Sequence, residues 1–120
     1  MILTGSNLKV VIDHTWKDHQ KLTEYGYELQ VDQINNCKNW KMYHYDIWIW
    51  FADDHWCIGE GKDKGTETCI FKAPSSNGQW PTDLLGQWMF LDSDCQEWIT
   101  AGNNINVLFF YDLPYNKDNI

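Results

Sequence analysis

The sequence predicts an all-β domain, a small antiparallel β-sandwich or a partly open barrel of about eight short strands. Three observations carry that expectation. Short runs rich in Trp, Tyr, Ile, Val and Phe recur along the chain, and most of its aromatic residues fall inside them. Clusters of Gly, Asn, Asp and Pro break these runs at intervals of about ten residues. Apart from one N-terminal stretch, no segment carries a helical repeat of apolar residues.

In chain order, strands are expected near Leu8–Ile12, Tyr27–Val31, Trp40–Tyr45, Ile47–Ala52, Trp56–Gly59, Thr68–Ala73, Gln87–Leu91, Glu97–Thr100 and Ile105–Phe110. Between them lie Asn35-Asn36, Asp53-Asp54, the Gly59–Gly65 loop, Pro74 to Gly78, Asp92 to Asp94 and Gly102 to Asn104. Asn, Asp and Gly tolerate left-handed backbone angles and so close turns. The clearest hairpin joins Ile47–Ala52 to Trp56–Gly59 across Asp53-Asp54-His55, and a second joins Gln87–Leu91 to Glu97–Thr100. Asp13 to Tyr25 is the one stretch that reads as helical, capped by Asp13 or Thr15, with Trp16, His19 and Leu22 on one face. At most one short N-terminal helix is therefore expected. Residues 1–112 read as a single β domain and 113–120, with Pro114 and a polar end, as an extended or frayed tail.

Several strands are apolar on both faces. In Ile47–Ala52, Trp48 and Trp50 point one way while Ile47, Ile49 and Phe51 point the other, and Ile105–Phe110 repeats the pattern. A sheet with one wet face would alternate apolar with polar residues. Either these strands lie between two covering layers, or one ring-bearing face is open for a partner; burial is the commoner outcome. Trp48, Trp56, Trp88 and Trp98 are expected in the core, each flanked by apolar neighbours.

The chain resembles a small Trp-rich all-β module that recurs in mosaic eukaryotic proteins. The resemblance rests on Gly26-Tyr27, Asn35, Tyr43, the hairpin from Trp48 through Trp56-Cys57-Ile58-Gly59, Pro81, Trp88, Trp98 and Val107. The first 25 residues and the four cysteines stand outside the pattern. What the resemblance implies is a non-catalytic accessory or interaction domain, with no ligand named.

At 120 residues the chain is one domain long and buries a working core without covalent staples. Its net charge of −8 comes from 17 acids against nine bases, every one of them lysine. Such a chain is a poor match for nucleic acid or for an anionic membrane surface, where cationic contacts supply the affinity. No stretch approaches the ~20 apolar residues of a membrane-spanning helix. No basic region followed by a long apolar run opens the sequence, so no signal peptide is visible, and an extracellular location is indicated only if the cysteines pair.

Cys37, Cys57, Cys69 and Cys95 lack tight metal-ligand spacing and allow three pairings. Cys57 and Cys69 fall in consecutive expected strands and Cys37 and Cys95 in loops, which suggests disulfides 57–69 and 37–95; four free thiols are the alternative. His14, His19, His44 and His55 form no ligand motif. Asp92-Ser93-Asp94 alternates like the opening of a calcium loop but lacks its glycine and distal glutamate. There is no nucleophile elbow, phosphate loop or dinucleotide fingerprint. The expectation is a protein that is not an enzyme and that uses no metal or cofactor.

Aromatic side chains are left as the candidate binding groups: Trp16 and Trp80 outside the strands, with Tyr43, Tyr45 and Trp50 as a ringed strip. Two functions fit them. The first is an interaction or structural domain that presents aromatic surface to protein partners, including copies of itself. The second is a carbohydrate-binding module that uses exposed tryptophans. A large contiguous apolar surface would favour the first, and a groove lined by rings with amides at its edge the second.

Overall fold

A computed structural model describes residues 6–13, 22–76 and 79–110. The domain is all-β, as expected, and takes the form of the partly open barrel: among the described residues, nine antiparallel strands form one sheet curled into a half-barrel. The strands are β1 (Leu8–Asp13), β2 (Leu22–Leu29), β3 (Trp40–Met42), β4 (Ile47–Ala52), β5 (His55–Glu60), β6 (Phe71–Pro74), β7 (Met89–Asp92), β8 (Glu97–Thr100) and β9 (Ile105–Phe109). Strands β1 to β8 form a meander, each paired with its sequence neighbour, and β9 returns to pair with β1. That leaves β7's partner β8 and β1's partner β9 as the two edges. Among the described residues no helix is long and apolar enough to cross a membrane.

Turn chemistry sets the register. Asp53 and Asp54 both adopt positive φ, the twist of a tight two-residue hairpin, and pair Ala52 with His55. His55 Nδ1 lies 2.7 Å from the Asp53 carbonyl oxygen and ties the same turn. In the β7–β8 connection, Asp92 Oδ1 accepts from the Asp94 amide at 2.8 Å, which accounts for the Asp-Ser-Asp alternation as a local turn.

The expected N-terminal helix is corrected over its last turn. Leu22 to Tyr25 belong to β2, which pairs with β1 from Asp13↔Leu22 to Leu8↔Tyr27. The deciding period is 2: Tyr25, Tyr27 and Leu29 all pack on the core inside the curl. Residues 14–21, with Trp16, His14 and His19, lie outside the described residues, as does the 113–120 tail.

Alternate residues of every strand except β8 meet inside the curl, around fully buried Leu8, Trp40, Ile49, Ile105 and Val107. A half-barrel leaves its interior open on one side, and the connection from β6 to β7 fills that space. Trp80, Leu84 and Trp88 from this connection pack into the same core. Trp88 sits just before β7 and is fully buried, with its indole N–H unpartnered.

A second, smaller cluster lies on the outer face and explains the double-sided strands. Trp50, Ala52, Cys57 and Cys69 are buried there. The Trp50 indole N–H donates to the Thr66 carbonyl at 2.7 Å, so the segment between β5 and β6 covers β4 like a flap. Trp48 and Trp98 are only half-buried at the margin of this cluster. Lysine ammonium groups cap them, Lys64 at 3.7 Å from the Trp48 ring and Lys72 at 4.2 Å from that of Trp98. Of the four tryptophans expected in the core, Trp56 and Trp88 are buried.

Candidate functional site

A cleft of about 320 Å³ opens at one end of the half-barrel, and its floor is aromatic. Trp40 projects inward from β3, Phe51 from β4 and Trp56 from β5, while Trp80 comes from the β6–β7 connection. Their rings form a continuous chain. Phe51 meets Trp56 edge-on at 5.3 Å between centroids, Trp56 meets Trp40 at 5.7 Å, and Trp40 meets Trp80 at 5.8 Å. Trp80 then reaches Phe109 on the edge strand β9 at 5.9 Å. All four contacts are tilted or edge-on, the arrangement favoured by the ring quadrupoles.

Hydrogen bonds fix these rings in place. The Trp40 indole donates to the Ser6 carbonyl at 2.8 Å and that of Trp56 to the Gln79 carbonyl at 3.0 Å. The Trp80 amide donates to Asp83 Oδ2 at 2.8 Å, and the Asp83 amide returns a bond to the Trp80 carbonyl at 2.9 Å. Trp40 is fully buried and Trp56 nearly so, whereas Phe51 and Trp80 are half-exposed and offer ring surface to a ligand.

The rim is polar and held by the excursion between β2 and β3. Asn35 and Asn36 adopt left-handed angles, and Ile34 and Cys37 exchange two backbone hydrogen bonds of 3.0 Å around them. The Asn35 amide donates to the carbonyls of Phe51 at 2.8 Å and Gly65 at 3.0 Å, pinning this turn against β4. Buried Asn39 donates to Asp32 at 2.6 Å and closes the excursion at its base. The tip thus presents Gln33, Asn36 and Lys38 to the cleft, facing Ser75, Ser76 and Gln79. The Lys38 ammonium stands 5.6 Å from the Trp80 ring centroid. No carboxylate lines the cleft among the described residues.

The residues singled out from sequence separate in the structure. Trp80 is in the cleft wall. Trp50 has no exposed surface and is part of the outer cluster, which corrects its place in a ringed strip: the 61–70 segment covers it. Tyr43 packs edge-on against Phe110 at 6.3 Å and accepts a hydrogen bond from Asn7. Tyr45 is 64% exposed and lies at the other end of the half-barrel. Trp40, Phe51 and Trp56 were legible only as strand residues, because inward strand positions that line an open end carry the same pattern as those that do not.

All four cysteines are free thiols. Cys57 and Cys69 are nonetheless neighbours in the outer cluster. A hydrogen bond to Cys69, then burial, raises the Cys57 thiol far above its usual range, so Cys57 stays protonated near neutral pH, while the same hydrogen bond lowers Cys69. Cys37 lines the aromatic cleft and Cys95 is exposed in the β7–β8 turn. Among the described residues no group of His, Cys, Asp and Glu is arranged to hold a metal ion.

Comparison of the chain with protein-family models, with curated proteins and with solved structures finds no match.

Proposed function

We propose that this is a non-catalytic binding domain whose aromatic cleft takes a carbohydrate segment. The observation that carries the reading is the pairing of a ring floor with a rim of amides and hydroxyls that stand beside Lys38. Aromatic faces match the C–H faces of a sugar ring, and Gln, Asn and Ser side chains match its hydroxyls in both donor and acceptor roles. At about 320 Å³ the cleft falls at the low end of the ~300–1,000 Å³ of small-molecule sites. Hydrolysis of a glycoside needs two facing carboxylates, and the described lining offers none, which supports binding without turnover. A nucleobase would also stack on these rings, but the net charge of −8 and the absence of arginine disfavour a phosphate-bearing ligand.

The test is a glycan array probed with the parent protein and with Trp80→Ala, the half-exposed wall. A specific glycan signal lost in the variant supports the reading. No signal in the parent, or a signal unchanged by Trp80→Ala, rejects it. A second reading, self-association, has its own basis: the edge strand β8 carries Ile99, which is 36% exposed. Sedimentation over a concentration series distinguishes it, because Ile99→Lys would abolish a dimer and leave glycan binding intact.

A further inference from the structure

We propose that the opposite end of the half-barrel is a second, separate site, for a small neutral lipophile that carries one hydrogen-bonding head group. A cavity of about 450 Å³ opens there and shares no described lining residue with the aromatic cleft. Its walls are inward side chains of consecutive strands β1 to β6, among them Ile12, Met42, Ile47, Ile58 and Phe71. Tyr45 and Ile70, 64% and 42% exposed, stand among its lining residues, so the space is reachable from solvent. Barrel mouths are recurrent places for such apolar sites.

The tyrosines define the guest's polarity. The hydroxyls of Tyr25, Tyr27 and Tyr45 are the only side-chain hydrogen-bonding groups among the described lining residues. Tyr27 is 2% exposed, and among the described residues no hydrogen bond satisfies its hydroxyl. That residue lines the cavity, so its hydroxyl is available there as donor or acceptor to the head group of a guest. Burial first, then the neighbouring Tyr25, pushes the Tyr27 phenol well above its usual range, so it remains a neutral donor and acceptor. No lysine lines the described cavity to balance an anion, which makes an alcohol or phenol a better fit than a carboxylate.

N-phenyl-1-naphthylamine, whose fluorescence rises in apolar sites, is the probe. It should bind saturably and be displaced by 4-butylphenol more effectively than by butylbenzene. Tyr27→Phe should remove that preference, a loss of roughly three- to tenfold in the phenol's affinity from one hydrogen bond. Ile70→Glu should weaken the probe more than tenfold, and its exposed position leaves the core intact should Tyr27→Phe misfold. Trp80→Ala should leave probe binding unchanged, which separates this site from the aromatic cleft. Absence of saturable binding, equal displacement by the two competitors in the parent, or binding lost with Trp80→Ala but kept with Ile70→Glu would overturn the proposal.

Discussion

Replacing Gly59 with alanine adds one methyl group to a place where the outer cluster has no room for it. A Cβ there would stand 2.9 Å from Cη2 of Trp50, 3.1 Å from the Cys69 Cα and 3.3 Å from its Cβ. The backbone at Gly59 is ordinary strand, so the effect is steric and free of any left-handed strain. Trp50 cannot easily withdraw, because it is fully buried and its N–H is tied to Thr66. The Cys69 contact is to backbone, so relief requires the covering segment to lift. Overpacking of this kind costs roughly 1–3 kcal/mol, and for a domain of this size that lowers the melting temperature by about 4–15 °C. Urea unfolding followed by tryptophan fluorescence measures it directly. Trp50→Phe removes the atom in the way, so the double variant should lose less than the sum of the two singles. A Gly59→Ala protein within about 0.5 kcal/mol of the parent, or strict additivity in the cycle, would show that the segment does not pack on β4 as described.

Two further outcomes follow from buried titratable groups. Oxidised dithiothreitol should join Cys57 to Cys69 within one chain, transferring two hydrogens to the reagent, and peptide mapping should recover the linked pair; both thiols remaining free would count against their contact. Such a bond would add at most about 3 kcal/mol by closing a short loop. Tyr27 should make the protein alkali-sensitive. In the unfolded chain its phenol ionises near pH 10, whereas burial holds it protonated in the folded state, so stability is full below about pH 10 and is lost as pH rises beyond it. The urea midpoint of Tyr27→Phe should fall less between pH 9 and about 11 than that of the parent; parallel losses would mean Tyr27 is not held neutral by the fold.

The meander was legible because its punctuation is local. Asp53-Asp54 and Asp92 to Asp94 close turns through their own side chains and backbone angles, so sequence alone set those hairpins. The end of the expected helix was misread because Trp16, His19 and Leu22 repeat at a spacing of three. The competing alternation of Tyr25, Tyr27 and Leu29 becomes visible only once β1 supplies a partner. For the tryptophans, the sequence distinguished strand from loop but not inside from outside. Trp48 and Trp50 share one face of β4, yet one is half-exposed under a lysine and the other fully covered. The difference lies in where the 61–70 segment comes to rest, a long-range contact with no local signature.

The same non-local logic places both candidate sites. A nine-stranded sheet that does not close leaves an interior to be filled, and a single connection, Ser75 to Trp88, has to fill it. Its bulky residues are unevenly spread: Leu84 and Trp88 are fully buried in the core, while Trp80 stops at one mouth against Phe109. That mouth acquires a ring wall and, through the Gln33–Lys38 excursion, a polar rim. None of the described residues of the connection lines the other end, where Ile12, Met42 and Phe71 face open space around Tyr27. One plug therefore divides the half-barrel into two ends of different chemistry. Ligands for the two ends should not compete, since no described residue lines both cavities.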